Sequence, residues 1–192
     1  MRIKFKINNL EEERRIIART KKNITWLKDR GYFFILPVNC LEEEYSREKY
    51  KISAIIKEWK KREKAFLKGI KFFNRDFKKT IKVFFTRYGV GGSYFPPDKV
   101  LININEKCKK SPKDISITIA HEIIHLFVEP TVRRLKIDHW TKERVVDLIL
   151  SNIIPRLKIA QNLPLEAKKI DKAFKDFFPD IEKILKNARQ DN

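Results

Sequence analysis

The amino-acid sequence predicts an α+β fold, in which a small sheet packs against several helices. Apolar residues recur at helical spacing through most of the chain, whereas short β-branched and aromatic runs occur in only a few places. The strands and helices do not alternate strictly, which distinguishes this pattern from that of a parallel α/β sheet. A length of 192 residues without a linker rich in Pro, Gly or Ser favours one domain over residues 1–192.

The first part of the chain is expected to contribute packing elements. Apolar residues at helical spacing predict a helix over residues 10–29, and Gly31 follows as a stop signal. The apolar run at residues 32–36 predicts a buried strand. A long amphipathic helix is expected over residues 43–73, because apolar side chains line one face and charged side chains the other.

Two strands are predicted in the middle of the chain, over residues 81–86 and 100–105. Three of the five glycines, Gly89, Gly91 and Gly92, lie between them. Glycine is favoured where the backbone turns tightly or approaches another group closely. We therefore expect this loop to form the rim of a cleft.

Caps and prolines mark the helices of the second half. Ser111 is a good N-cap, and the helix that follows it should end at Pro130. A further helix is expected over residues 139–154, ended by Pro155. Two shorter helices are predicted near residues 164–178 and 180–189. Their apolar stripe should pack into the core, and the alternative is that it covers the cleft as a removable segment.

The composition limits the environment of the protein. The only two cysteines, Cys40 and Cys108, lack a metal-binding or redox spacing, which is typical of a reducing compartment. The N-terminus carries no apolar leader, and no apolar run reaches the length that crosses a bilayer. We therefore expect a cytoplasmic protein without a membrane span. Many Lys and Glu residues beside only two Gln resemble thermophile usage.

The charge is strongly basic, with 44 Lys and Arg against 25 Asp and Glu and a formal net charge of +19. This charge predicts attraction to nucleic acid or another polyanion without specifying which. The lysines are spread along amphipathic helices, as is typical of solvated faces, and no nucleic-acid-binding motif accompanies them.

The chemistry is concentrated in the segment His121-Glu122-Ile123-Ile124-His125, inside the helix that Ser111 caps. The spacing of an HExxH motif places both imidazoles on one face of a helix, where they could bind one Zn²⁺. This helix is apolar nearly all round, so its polar residues need partners in the core. Glu122 is then the candidate general base for a metal-assisted hydrolysis.

Two residues compete for the place of third metal ligand. A catalytic zinc site has three protein ligands and one open position. Glu143 is favoured over His139, because Asp147 lies one turn after Glu143 and could accept a hydrogen bond from a zinc-bound imidazole. With Glu143 as the ligand, His139 becomes a candidate donor to an oxyanion.

These motifs resemble those of the gluzincin metallopeptidases, in which one helix carries HExxH and a second carries ExxxD. The resemblance covers about residues 80–155 and is greatest to the small minigluzincins. It implies a zincin-like fold, to which residues 1–79 and 156–192 add further elements. It also implies that residues 100–105 form the rim strand that pairs with extended substrate. We recognise no counterpart of the Tyr and His that larger members use to bind the oxyanion.

The resemblance implies that His121, His125 and Glu143 are the zinc ligands. It also implies that Asp147 contacts these ligands without binding the metal itself. The implied function is zinc-dependent hydrolysis of a peptide or protein substrate. The alternative is a basic nucleic-acid-associated protein, either with His139 as third ligand, as in Spartan-like DNA-repair proteases, or with an inactive zincin site. The sequence does not predict an oligomeric state.

Overall fold

The structure, a computed structural model, describes residues 1–47, 52–73, 80–154 and 167–189. Its strands are β1 (Arg2–Ile7), β2 (Phe34–Ile35), β3 (Thr80–Thr86), β4 (Gly89–Val90), β5 (Gly92–Phe95) and β6 (Lys99–Asn103). Its α-helices are α1 (Leu10–Lys22), α2 (Ile24–Asp29), α3 (Leu41–Arg47), α4 (Ser53–Phe73), α5 (Pro112–Leu135), α6 (His139–Ile153), α7 (Ala167–Phe177) and α8 (Ile181–Ala188). This mixture of helices and two small sheets is compatible with the predicted α+β class.

The larger sheet has the strand order β1-β3-β6-β5. Strands β1, β3 and β6 run parallel, and β5 pairs with β6 in the antiparallel direction. The prediction that residues 100–105 form the rim strand is therefore wrong, because β6 lies inside the sheet and β5 lies at its edge. The β-branched residues Val100 and Ile102 are fully buried, as befits an inner strand.

The apolar stripe of α4 packs into the main core, as its pattern predicts. Trp59 and Phe66 are fully buried there, together with apolar residues of the larger sheet, α5 and α6. Ile170 and Phe174 of α7 join the same cluster and Phe177 packs against it, so most of the described C-terminal stripe belongs to the core, whereas Phe178 is exposed. The predicted helix start at residues 164–166 and the stop at Pro155 lie outside the described residues.

Several predicted boundaries in the first half are wrong. The helix over residues 10–29 is divided into α1 and α2 at Asn23, whose side-chain amide donates a hydrogen bond to the Arg19 carbonyl oxygen over 2.8 Å. The strand over residues 32–36 is reduced to β2, which pairs with β4. The helix over residues 43–73 begins earlier, as α3, and α4 follows; residues 48–51 are outside the described residues.

Helix α5 does not end at Pro130 but continues to Leu135, where Lys136 adopts the left-handed conformation. A proline inside a helix removes one hydrogen bond, but Val128 and Val132 on either side are buried and stabilise the continuation. By length and composition α5 could cross a membrane, yet 67% of its most apolar window is buried inside the fold. The burial of α5 is that of a core helix.

Candidate metal centre

Three side chains from α5 and α6 meet at one point. The Nε2 atoms of His121 and His125 are 3.0 Å apart, and Glu143 Oε2 lies 3.4 Å from the first and 3.3 Å from the second. Donor atoms held at 2.0–2.1 Å by a tetrahedral ion are separated by about 3.3 Å. The three side chains therefore form a group that could hold a metal ion.

The local structure explains why these residues meet. His121 and His125 are one turn apart on α5, which begins at a capping box between Ser111 and Asp114. Helix α6 begins at Asp138, whose side chain accepts a hydrogen bond from the Thr141 backbone nitrogen over 2.9 Å. The two helices pack against each other through their apolar residues, which brings the start of α6 beside the middle of α5.

The donor set of the site suits a cation. Asp147 Oδ1 lies 3.2 Å from His121 Nδ1, so this nitrogen carries a proton, and Nε2 is the ring nitrogen that faces the other two donors. Two imidazole nitrogens and a carboxylate oxygen that face one another need a shared proton or a metal ion. The residues present thus fit a divalent metal ion.

Electrostatics leads to the same conclusion. Burial lowers the pKa of His121, but its hydrogen bonds with Asp147 and Glu143 outweigh burial and raise the pKa to about 10. Burial raises the pKa of Glu143, but the two imidazoles outweigh this and hold the pKa of the carboxyl far below its usual range. The metal-free site therefore retains an additional proton, which a bound cation would replace.

His139, the rival ligand, is not part of this three-donor group. Its Nε2 lies 2.9 Å from the Tyr32 hydroxyl, and its Nδ1 lies 3.7 Å from Glu143 Oε1. Lys142 Nζ is 3.6 Å from the same Glu143 oxygen. The two oxygens of Glu143 thus have different surroundings: Oε2 faces the imidazoles of α5, and Oε1 faces the polar groups of α6.

Glu122 lies beside the two histidines and is 8% exposed. Burial raises the pKa of its carboxyl, although the nearby imidazoles lower it in part. A side chain at position 92 would collide with Glu122 Oε1, so Gly92 leaves the space that this carboxylate occupies. The glycine-rich loop therefore reaches the site, as its composition predicts.

The metal-binding group opens into a cleft of about 1030 Å³. Helices α5 and α6 form its floor, and β4 and β5 form one side. A wall of the cleft comes from α1, α2 and the loop after α2, with Thr20, Trp26 and Tyr32 among its lining residues. Residues 167–189 do not line the cleft.

Tyr32 was not among the residues that sequence reasoning placed in the site. Its hydroxyl lies 2.9 Å from His139 Nε2, although the two residues are 107 positions apart. Burial and the charges of Glu143 and Glu122 raise the pKa of Tyr32 to about 12, so its hydroxyl remains protonated near neutral pH. Burial lowers the pKa of His139, which favours the neutral ring, and the direction of its bond with Tyr32 depends on which ring nitrogen carries the proton.

Tyr94 of β5 is the second residue of the site that sequence reasoning missed. Its ring is stacked on that of His125, with centroids 4.6 Å apart and an interplanar angle of 5°. A tyrosine in a four-residue strand is an ordinary packing residue by its pattern, so no sequence signal pointed to this contact.

Comparisons of the chain with protein-family models, curated proteins and solved structures find no match. The interpretation of the site therefore depends on its own geometry. That geometry gives a His/His/Glu group compatible with a zincin-like site. Two imidazoles and a carboxylate suit several first-row metal ions, so the choice of zinc belongs to the proposal that follows.

Proposed function

We propose that the protein is a zinc-dependent metallopeptidase. The observation that carries this proposal is the convergence of His121, His125 and Glu143 beside Glu122 at the floor of an open cleft. Two histidines and one glutamate, with a fourth position left for water, are one of the arrangements that catalytic zinc uses. Glu122 is not part of this three-donor group and is available for proton transfer.

The mechanism follows from the position of each side chain. When bound, zinc lowers the pKa of a coordinated water toward about 7 and polarises the carbonyl group of the substrate. Glu122 accepts the proton from the attacking water and then donates it to the leaving amine. The burial that raises the pKa of this carboxyl brings it closer to the range in which one group can act as both base and acid.

Tyr32 of the wall and His139 at the start of α6 supply polar groups to the cleft. The neutral His139 ring holds the Tyr32 hydroxyl through their 2.9 Å contact. When the proton of the His139 ring is on Nε2, this nitrogen donates to the Tyr32 oxygen, and the Tyr32 hydroxyl is free to donate its own proton to the oxyanion that develops on the substrate carbonyl. His139 is thereby the candidate oxyanion helper of the sequence, acting together with Tyr32.

Substrate binding is assigned to β5, the edge strand that lines the cleft. The edge of a sheet offers unpaired backbone N–H and C=O groups, to which an extended peptide can add as a further strand. Because this pairing uses main-chain groups, it is largely indifferent to the side chains of the substrate. A peptide or an unfolded protein segment is the expected substrate class.

The decisive experiment compares the wild-type protein with a Glu122→Ala variant. We expect one zinc ion per chain in both, and a loss of casein hydrolysis in the variant by about 10²- to 10⁴-fold, which is the usual contribution of a general acid–base. Glu106→Ala, which removes an exposed carboxylate outside the cleft, is the matched control and should retain activity. Activity of Glu122→Ala close to that of the wild type would disprove the proposed mechanism, and loss of zinc from it would contradict the assigned role.

The alternative is a nucleic-acid-binding protein whose metal site does not hydrolyse peptides, and the observation that favours it is the net charge of +19. Such a protein would retain zinc but cleave neither casein nor short peptides. Its affinity for DNA or RNA would fall steeply with salt concentration, because bound phosphates release their counterions. Measuring both properties on one preparation separates the two functions.

A further inference from the structure

The two histidines of the metal centre are held in different ways. His121 has a hydrogen-bond partner for its outer nitrogen, since Nδ1 lies 3.2 Å from Asp147 Oδ1. The corresponding nitrogen of His125 is buried without a hydrogen-bond partner among the residues that the structure describes. A metal-bound histidine normally donates this second N–H to an acceptor, which fixes the orientation of the ring. Another contact must therefore fix the His125 ring.

The flat face of Tyr94 provides this contact. The Tyr94 and His125 rings are nearly parallel, at an interplanar angle of 5° and a centroid separation of 4.6 Å. His121, by contrast, meets His125 edge to face, at 74°. A ring that lies flat on one side of the imidazole opposes tilting of its plane, which would move Nε2 away from the other two donors.

Tyr94 is itself fixed at its far end. Its hydroxyl donates a hydrogen bond to Glu129 Oε2 over 2.6 Å and accepts one from Lys142 Nζ over 3.1 Å. Glu129 is in turn held by Arg133, whose Nε donates to Oε1 over 2.6 Å. Burial and the bond to Glu129 raise the pKa of Tyr94, so the hydroxyl remains a donor. These contacts immobilise the ring that stacks on His125.

We propose that Tyr94 is a positioning residue of the metal centre, whose ring face replaces the missing hydrogen bond in orienting His125. This inference rests on the metal centre of the proposed function but concerns metal binding, not hydrolysis. Because Tyr94 belongs to the edge strand β5, one residue connects the strand that faces the substrate with a metal ligand. Lys142 extends the connection to Glu143, whose Oε1 lies 3.6 Å from its ammonium group.

The test is a titration of metal-free protein with Zn²⁺ in competition with a chromophoric chelator. We expect Tyr94→Leu, which removes the flat face, to weaken zinc binding by about 10- to 100-fold, as loss of an outer contact does at other zinc sites. Tyr94→Phe keeps the ring and should retain most of the wild-type affinity. Phe84→Leu, at a half-buried aromatic residue of the same sheet outside the cleft, is the matched control and should bind zinc as the wild type does.

Two results would overturn the proposal. Wild-type affinity in Tyr94→Leu would show that the ring is not needed, and an equally large loss in Tyr94→Phe would assign the effect to the hydroxyl group. If circular dichroism shows that the Leu variant is unfolded, Tyr94→Met gives the same comparison, because methionine also lacks a flat ring and its flexible side chain fills irregular space. A wild-type protein that binds no zinc would refute the proposed metal centre itself, which is a different result from a zinc-binding protein that tolerates Tyr94→Leu.

Discussion

The floor and the outer wall of the cleft are assembled in different ways. The floor consists of His121 and His125 on one turn of α5 and of Glu143 on the helix that follows. The wall consists of residues such as Tyr32, which meets His139 across a separation of 107 positions. The floor is thus determined by helical periodicity over a short segment, whereas the wall depends on how the first two helices pack against the rest of the chain.

The two regions also differ in their chemistry. The floor is largely buried and ionic, with two carboxylates and two imidazoles in close contact. The wall is aromatic and partly exposed. Trp26 is 46% exposed and stacks on Tyr32, and the Arg30 guanidinium lies over the Trp26 ring, 4.3 Å from its centroid. In the proposed function the floor holds the metal ion and the wall contacts the substrate. Variants of the two regions should therefore affect different measurements.

The largest effect is expected from the third ligand in the floor. Glu143→Ala removes one of three donors and leaves two imidazoles with an open site. We expect a loss of zinc affinity greater than the roughly 10- to 100-fold that follows removal of an outer contact. His139→Ala, one turn earlier on the same helix, should retain zinc. The opposite ranking in metal analysis would make His139 the ligand and would support the alternative site.

An intermediate effect is expected from the wall. Tyr32→Phe removes only the hydroxyl that faces His139, and we expect kcat to fall by about 10²-fold, as on removal of one oxyanion donor, while zinc affinity is unchanged. Tyr45→Phe is a suitable control, since the Tyr45 hydroxyl donates to the Asn8 carbonyl oxygen outside the cleft. A loss of zinc from Tyr32→Phe would contradict the division between floor and wall.

The smallest effect concerns the pH dependence of stability after zinc is removed. The pKa of His121 is raised from 6.5 to about 10 in the folded state, because bonds with Asp147 and Glu143 outweigh burial. A raised pKa contributes stability that is complete below pH 6.5 and is lost as the pH rises through about 10. The free energy of unfolding should therefore decrease across this interval. One pKa unit represents about 1.4 kcal/mol, and we expect a decrease of at least this size.

Urea denaturation of the chelator-treated protein at several pH values measures this slope. His121→Leu should reduce the slope, whereas Tyr32→Phe in the wall should leave it intact. A stability of the metal-free wild type that increases with pH over this interval would contradict the proposed proton in the floor.

The sequence predicts the elements whose information is local. The four-residue spacing of the two histidines, the cap at Ser111 and the apolar stripe of α4 each depend on residues within a few turns, and the structure has them as predicted. The pairing of Tyr32 with His139 depends on tertiary packing, which no periodicity encodes. The helix that passes Pro130 shows the same limit, since buried neighbours outweigh a local stop signal.

The glycines explain another difference between prediction and structure. Strand β5 is short and begins with Gly92, so it lacks the β-branched pattern that identifies β3 and β6. The closeness of Gly92 to Glu122 requires the small residue, and this requirement weakens the strand signal. The glycine that makes room for the proposed catalytic carboxylate is thus also the reason that the sequence does not predict the edge strand.

The strand order of the larger sheet determines where a strand of another molecule could pair with it. Strands β1 and β5 lie at its two edges. Along β1 the exposed positions are Arg2, Lys4 and Lys6, and such a row of like charges repels an approaching strand of another molecule. The β5 edge has no comparable row and lies within the cleft between helices. Charge thus discourages strand addition at one edge, while at the other the cleft restricts it to a chain thin and extended enough to enter.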